Sequence, residues 1–221
     1  MKRLRKFTEG FFLEVDLLVD YPSGKKEGVR TEEDRVVARR FGKEFFDGPR
    51  NQGYGGYSYH PRFFEKVARL FCEYYELEDG DRVLDVGCAK GFLLYEFLKL
   101  GMRVRGIDIS EYAISEAKDE VKRFVSVGDA LKLPFRDKSF DLVVSLGTIH
   151  NLSEMGVIQS LREIERVGKN AFITVDAYRD EAEKKRMEAW NLTAKTVHHV
   201  RDWEAVFDEA GYGGDWYWVL A

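Results

Sequence analysis

The sequence predicts an α/β protein, with a mostly parallel, doubly wound sheet and helices on both faces. Three observations predict it. Short apolar runs alternate with segments of helical periodicity from residue 61 onward. The first of these runs passes into a Gly-rich turn, Asp85-Val86-Gly87-Cys88-Ala89-Lys90-Gly91, and a helix follows at once. The chain of 221 residues with 44% hydrophobic side chains is long enough for one well-buried core.

The elements follow in chain order. Phe11, Leu13, Val15 and Leu17 alternate with polar neighbours, which predicts a strand, and Pro22-Ser23-Gly24 turns the chain. Thr31 stands as an N-cap before a helix carrying Val36, Val37 and Phe41. The Gly/Tyr-rich stretch at 53–60 cannot be a regular helix, because its glycines weaken one too much. Pro61 opens a helix whose Phe64, Val67, Ala68, Phe71 and Tyr75 share a face. Strands are then expected at 83–86, 104–107, 124–127, 142–146, 171–175 and 216–220. Helices are expected at 92–100, 111–118, from about 153 to 167, 180–190 and 202–210. Residues 1–60 form an N-terminal extension and possible lid, and 61–221 the main domain.

Composition removes several function classes. The net charge of −4 carries no polyanion footprint, so nucleic acid is not the expected partner. Cys72 and Cys88 are far apart and lie in no metal-ligand spacing, so neither a disulfide framework nor a metal site is expected, and a reducing compartment fits. The apolar stretch at 11–19 is broken by Glu14 and Asp16, too charged for a signal peptide or a membrane span. The expectation is a cytoplasmic protein, monomer or homodimer, with no membrane partner.

In such a sheet, ligands bind beyond the carboxyl ends of the strands, near the switch in strand order. Glycines at 87 and 91 let the backbone turn sharply and approach a ligand. Asp108 ends the second core strand, roughly twenty residues on, where a carboxylate can accept both hydroxyls of a ribose. Asp129 follows the third strand and can accept from an exocyclic amine such as that of adenine. An Asp at a strand end is more often a helix cap than a ligand contact. Three in register at successive strand ends are hard to explain as turns.

These runs resemble the motifs of one family. Val83-Leu84-Asp85-Val86-Gly87-Cys88-Ala89-Lys90-Gly91 is similar to the first motif of class I S-adenosylmethionine (SAM)-dependent methyltransferases, and Gly106-Ile107-Asp108-Ile109-Ser110 to their second. Val127-Gly128-Asp129-Ala130 with Leu133-Pro134-Phe135 resembles the third, and Phe140-Asp141-Leu142-Val143-Val144 the fourth. The turn departs from the family pattern at its central glycine, which is Ala89 here. The resemblance implies a Rossmann-like seven-stranded sheet whose C-terminal strand, 216–220, runs antiparallel. It also implies S-adenosyl-L-methionine as cofactor. Asp85, Gly87 and Gly91 would shape the pocket for the methionine part, and Cys88 would pass near it by backbone without its thiol reacting. Asp108 would hold the ribose, Ile109 would pack on adenine, Asp129 with Ala130 would meet its amine, and Leu146 would line the floor.

The acceptor is narrowed by what the fourth strand lacks. Ser145-Leu146-Gly147-Thr148-Ile149-His150-Asn151-Leu152 carries no Asn/Asp-Pro-Pro-aromatic tetrapeptide, no Pro-Cys nucleophile and no metal-binding Asp. His150 remains as a candidate general base toward a small-molecule hydroxyl or amine, set at even odds against a packing role. Tyr54, Tyr57 and Tyr178 are candidate acceptor contacts, each weighed against plain packing. Arg62 could meet the SAM carboxylate, and His198-His199 fit a helix start or edge strand better than a metal site. Two other readings stay open: a nicotinamide-dependent oxidoreductase or epimerase on a similar sheet, and a SAM-binding module without turnover. The former would show Gly-x-x-Gly-x-x-Gly near the N-terminus, which the chain lacks.

Overall fold

Thr31 starts the first helix as its side chain predicts. Its Oγ1 accepts from the Asp34 N–H, and the Asp34 carboxylate accepts from the Thr31 N–H, a reciprocal capping box ahead of α1 (Glu32–Ala38). The structure, a computed structural model, describes residues 5–6 and 30–220. The strand expected at 11–17 and the turn at 22–24 lie outside those residues. A short helix that periodicity does not reveal, α2 (Lys43–Asp47), precedes the Gly/Tyr-rich stretch. Pro61 stands in the first turn of α3 (Pro61–Tyr74), which buries Phe64, Val67, Ala68 and Phe71.

The core then alternates as expected: β2 (Arg82–Val86), α4 (Phe92–Lys99), β3 (Arg103–Asp108), α5 (Glu111–Ser115), β4 (Val125–Val127) and β5 (Phe140–Leu146). Ser153 caps α6 (Glu154–Val167), and β6 (Gly168–Tyr178) is longer than its apolar run suggests. Asp180 caps α7 (Glu181–Trp190), and after the short β7 (His198–His199) come α8 (Val200–Ala210) and β8 (Asp215–Val219). The remaining strand, β1 (Arg5–Lys6), pairs with β8.

Seven strands lie along one path in the order β1-β8-β6-β5-β2-β3-β4, and β7 pairs with the end of β6. The order reverses at β2, which lies between β3 and β5. The cleft of a doubly wound sheet is expected at the carboxyl ends there. Successive residues of the central strands serve opposite layers. Val83, Leu142 and Val144 pack with α3 and α4, whereas Leu84, Val86 and Val143 pack with α6 and α8.

The antiparallel final strand is corrected. β8 pairs parallel with β6, Phe172 opposite Asp215 and Asp176 opposite Val219. The connection explains it. The chain leaves the top of β6, crosses one face through α8, which packs on α6, and re-enters the sheet from below. A crossover of that kind delivers a parallel strand, whereas an antiparallel neighbour needs a hairpin-like return.

Candidate active site

The turn after β2 is built around close backbone approach. Gly87 has φ +86°, and a Cβ there would stand 2.0 Å from Thr148 Oγ1, so the two strand ends can meet only at a residue without a side chain. Gly91, also left-handed at φ 74°, caps α4. Between them Ala89 holds φ 47° despite its Cβ. It is fixed there by its own N–H, which donates to Asp108 Oδ2 at 2.7 Å. Cys88 turns its sulfur toward Gly106, into the core layer packed by α3 and α4, and burial pushes its thiol well above the ordinary range.

Asp108 is buried and accepts twice from backbone, from Ala89 through Oδ2 and from the Ser110 N–H through Oδ1 at 2.8 Å. Burial raises its pKa against the opposing pull of those two hydrogen bonds. Asp85 lies deeper, beneath the cleft rather than on its wall. Burial, and secondarily the Asp108 carboxylate, push it up to about 8. Asp129 is exposed, and its Oδ1 accepts from the Leu131 N–H at 2.9 Å, an Asx turn that aims the carboxylate. Ile109 leaves 58% of its surface uncovered.

Gly87, Ala89, Asp108, Ile109 and Asp129 line one cleft of about 1300 Å³, together with Ala130, Leu146, Thr148 and His150, whereas Asp85, Cys88 and Gly91 lie outside its lining. That volume exceeds the usual span for a single small ligand and leaves room for a second one. His150 is buried in the opposite wall, in a tight turn after β5. Its Nδ1 accepts from the Asp176 N–H at 3.0 Å. A ring nitrogen that accepts from a backbone amide carries no proton, so the neutral ring bears its proton on Nε2 and offers a donor there. Asp176, at the upper end of β6, lines the cleft beside it, with Oδ1 3.5 Å from His150 Nδ1.

A cover closes over the turn. Asp47 of α2 accepts from Lys90 Nζ at 2.7 Å, from the Tyr112 hydroxyl at 2.6 Å and from the Tyr57 N–H at 2.9 Å, joining cofactor turn, α5 and Tyr-rich stretch. Lys90 holds Asp47 below the usual carboxylate range despite partial burial. Tyr57 stacks on Phe92 at 5.1 Å, and the Tyr59 hydroxyl donates to the buried Glu96. Tyr54 and Tyr57 both line the cleft.

Four further residues singled out by sequence fall elsewhere. Tyr178 packs edge-on against His199, 5.8 Å away, outside the cleft wall. Arg62 lies over the Phe63 ring at 4.6 Å. His199 caps α8 by accepting from the Arg201 N–H, and His198 pairs with Glu154 at 3.0 Å, as helix-start and edge residues do. Among the described residues no group of three or more His, Cys, Asp or Glu could hold a metal ion, and no helix is long and apolar enough to cross a membrane. Sequence reasoning missed Asp176, although it carries the same signal as Asp108, an acid at the end of an apolar strand. It also missed Thr148, Arg39 and Lys195, whose place in the cleft has no local signal.

An adenosyl ligand fits what is present: a turn in which a Cβ at Gly87 would collide, the buried carboxylate of Asp108, an uncovered Ile109 beside it and the aimed Asp129 beyond. That constellation on this sheet defines the class I methyltransferase architecture. The family model described as methyltransferase domain matches residues 84–171. An uncharacterized protein of Methanocaldococcus jannaschii is 32% identical over 136 residues, 52% of this chain and 52% of that protein. The ribosomal protein L11 methyltransferase of Thermotoga neapolitana is 32% identical over 163 residues, 67% of this chain and 56% of its own length. The chain thus spans about half the length of these curated relatives. A chain of the Haloferax volcanii complex between the Trm112 methyltransferase activator and a methyltransferase shares the fold. It has TM-score 0.55 and 24% identity, over 68% of this chain and 70% of that one. Residues 84–171 are thus a methyltransferase domain of the class I SAM-dependent kind, whose cofactor is S-adenosyl-L-methionine.

Proposed function

We propose that the protein transfers the methyl group of SAM to an oxygen or nitrogen of a small-molecule acceptor bound beside His150. The observation that carries this reading is the placement of Asp108 and Asp129 on one wall of a single cleft and His150 with Asp176 on the other. The cofactor supplies an activated methyl on a sulfonium. Asp108 and Asp129 orient its adenosyl part, and Asp85, Gly87, Cys88 and Gly91 shape the turn under its methionine part. Ile109, Ala130 and Leu146 give the apolar wall.

Positioning is the main task left to the protein, because the leaving group is already good. The general-base role for His150 would need its proton on Nδ1, at the expense of the Asp176 N–H bond. The existing tautomer instead supports His150 Nε2–H as donor to the acceptor atom, with the Asp176 carboxylate taking the acceptor's proton. Residues 30–60 serve as the cover that excludes water, with Tyr54 and Tyr57 facing the acceptor. The acceptor named for the Thermotoga relative is a ribosomal protein; the cleft's depth and aromatic rim support a small molecule for this chain.

Calorimetry tests the reading. S-adenosylhomocysteine (SAH) should bind and NAD should not, and Asp108→Ala should weaken SAH at least about 100-fold, the loss of two hydrogen bonds to a charged group. Unchanged SAH affinity in that variant, or tighter binding of NAD, overturns it.

A further inference from the structure

Three cations line the cleft. Arg39 and Arg40, at the end of α1, and Lys195, in the loop after α7, all line it. Of the three carboxylates on the cleft wall, Asp108 and Asp129 lie at the adenosyl end, which leaves Asp176 alone among these cations. No ion pair engages Lys195 or Arg40 among the described residues. Arg39 has one, at 3.5 Å to Glu32, whose side chain is 66% exposed, a pair of the kind worth little. The Arg39 Nε is buried and has no hydrogen-bond partner. A buried donor left in that state is costly unless something accepts from it.

The cations stand on a fixed frame. Arg35, one turn before Arg39 on α1, donates from Nε to the Asn191 carbonyl at 3.2 Å and from Nη2 to the Glu188 carbonyl at 3.1 Å. That fastens α1 onto the carboxyl end of α7, where carbonyls attract a cation. The loop carrying Lys195 is closed by Asn191, whose side chain both donates to the Ala194 carbonyl and accepts from the Ala194 N–H. The same loop is stapled to the acceptor wall, because the Lys195 and Thr196 N–H groups both donate to the His150 carbonyl at 3.0 Å. Lys195 is therefore held beside His150 by backbone, and Arg39 stands at the end of a helix that the Arg35 side chain fastens to the helix before that loop.

We propose that the methyl acceptor carries an anionic group, a carboxylate or a phosphate, which Arg39, Arg40 and Lys195 seat while His150 faces the atom to be methylated. The inference rests on the methyl-transfer reading and names the acceptor class it takes. A planar carboxylate suits the two-pronged donor face of a guanidinium, and Lys195 adds a point charge. An anion there also sets direction: it fixes which end of the acceptor lies against the cofactor.

The test is titration of the SAH-saturated protein with benzoate and with its neutral counterpart benzamide, by calorimetry at two salt concentrations. Benzoate should bind saturably and more weakly as salt rises, and benzamide should bind at least about tenfold less tightly. Arg39→Gln and Lys195→Gln should each weaken benzoate about tenfold while SAH affinity stays within about twofold. Equal binding of benzoate and benzamide, or variants that bind benzoate as the parent does, overturns the anion site while leaving SAH binding, and so the methyl-transfer reading, standing. Loss of SAH affinity in step with benzoate also overturns it, because the cations would then hold the cofactor's own carboxylate. A parent protein that binds no SAH at all is the separate failure of the reading beneath.

Discussion

The two halves of the cleft are built by different means. The adenosyl half is local: Gly87, Ala89, Asp108, Ile109 and Asp129 stand at or just beyond three neighbouring strand ends, and their own backbone amides fix them. The half proposed to seat the acceptor is assembled from far apart. His150 comes from the turn after β5, Asp176 from β6, Arg39 from α1 and Lys195 from the loop after α7. A ligand that never changes can be met by a contiguous stretch of chain. An acceptor that differs among relatives is met by elements free to vary around a constant sheet. Each half can then be perturbed separately, and the position where they touch should be the most sensitive.

That position is Gly87 against Thr148. Gly87→Ala would place a methyl 2.0 Å from Thr148 Oγ1 at a backbone angle that L residues rarely adopt. The expected cost is about 3 kcal/mol of stability, combining steric overlap with backbone strain. SAH affinity should drop with it. Adding Thr148→Gly removes the overlap and leaves the strain, so denaturant titration of the double variant should recover about half the loss. Full recovery would mean that backbone angle carries no cost, and none would mean that Thr148 is not the obstacle.

The contrast between the halves is also a contrast in what could be read from the residues. The sheet, its helices and the strand-end acids that line the cleft were legible because periodicity, capping residues and strand ends are local properties of the chain. Thr31, Ser153 and Asp180 each begin the helix their side chains predict. The direction of β8 was not legible, because Trp216-Tyr217-Trp218 has the same pattern whichever way it runs, and only the crossover decides. Tyr178 fails for a similar reason. It stands at the correct strand end, but its ring turns onto His199. Arg39 and Lys195 meet across the cleft only through tertiary contacts that no local window contains.

The second test lies in the buried acids under the adenosyl half. Asp85 is raised to about 8 in the folded protein, chiefly by burial, from an ordinary carboxylate value in the unfolded chain. The folded state therefore holds a proton that the unfolded state releases. Stability from this group is full below about pH 4, falls as pH rises, and is lost once pH passes about 8. Asp85→Asn removes the dependence. The variant should match the parent near pH 4 and exceed it by at least about 1.4 kcal/mol at pH 8, one pH unit's worth of linkage. A parent and variant that keep parallel stability profiles across that window would show Asp85 to be charged and compensated. SAH titrations at the two pH values then report whether the neutral or the charged carboxyl is the form the turn uses.

The smallest expected effect is at Ala89, where the chain departs from the glycine of its family's turn. Ala89 sits at φ 47°, so its Cβ costs about 1 to 2 kcal/mol in the folded state. Glycine would remove that cost but widen the unfolded ensemble, which costs about 0.4 to 1 kcal/mol in return. Ala89→Gly should therefore change stability by less than about 1 kcal/mol, in the stabilising direction. Ala89 also lines the cleft, and its N–H holds Asp108. If the methyl group only narrows the adenosyl half, SAH affinity should stay within about threefold, a shift under 0.7 kcal/mol. A larger loss would mean that the Cβ holds the Asp108 clasp in place by restricting the turn. Local geometry alone would then not be enough, and even the contiguous half of the cleft would depend on a side chain that the usual pattern omits.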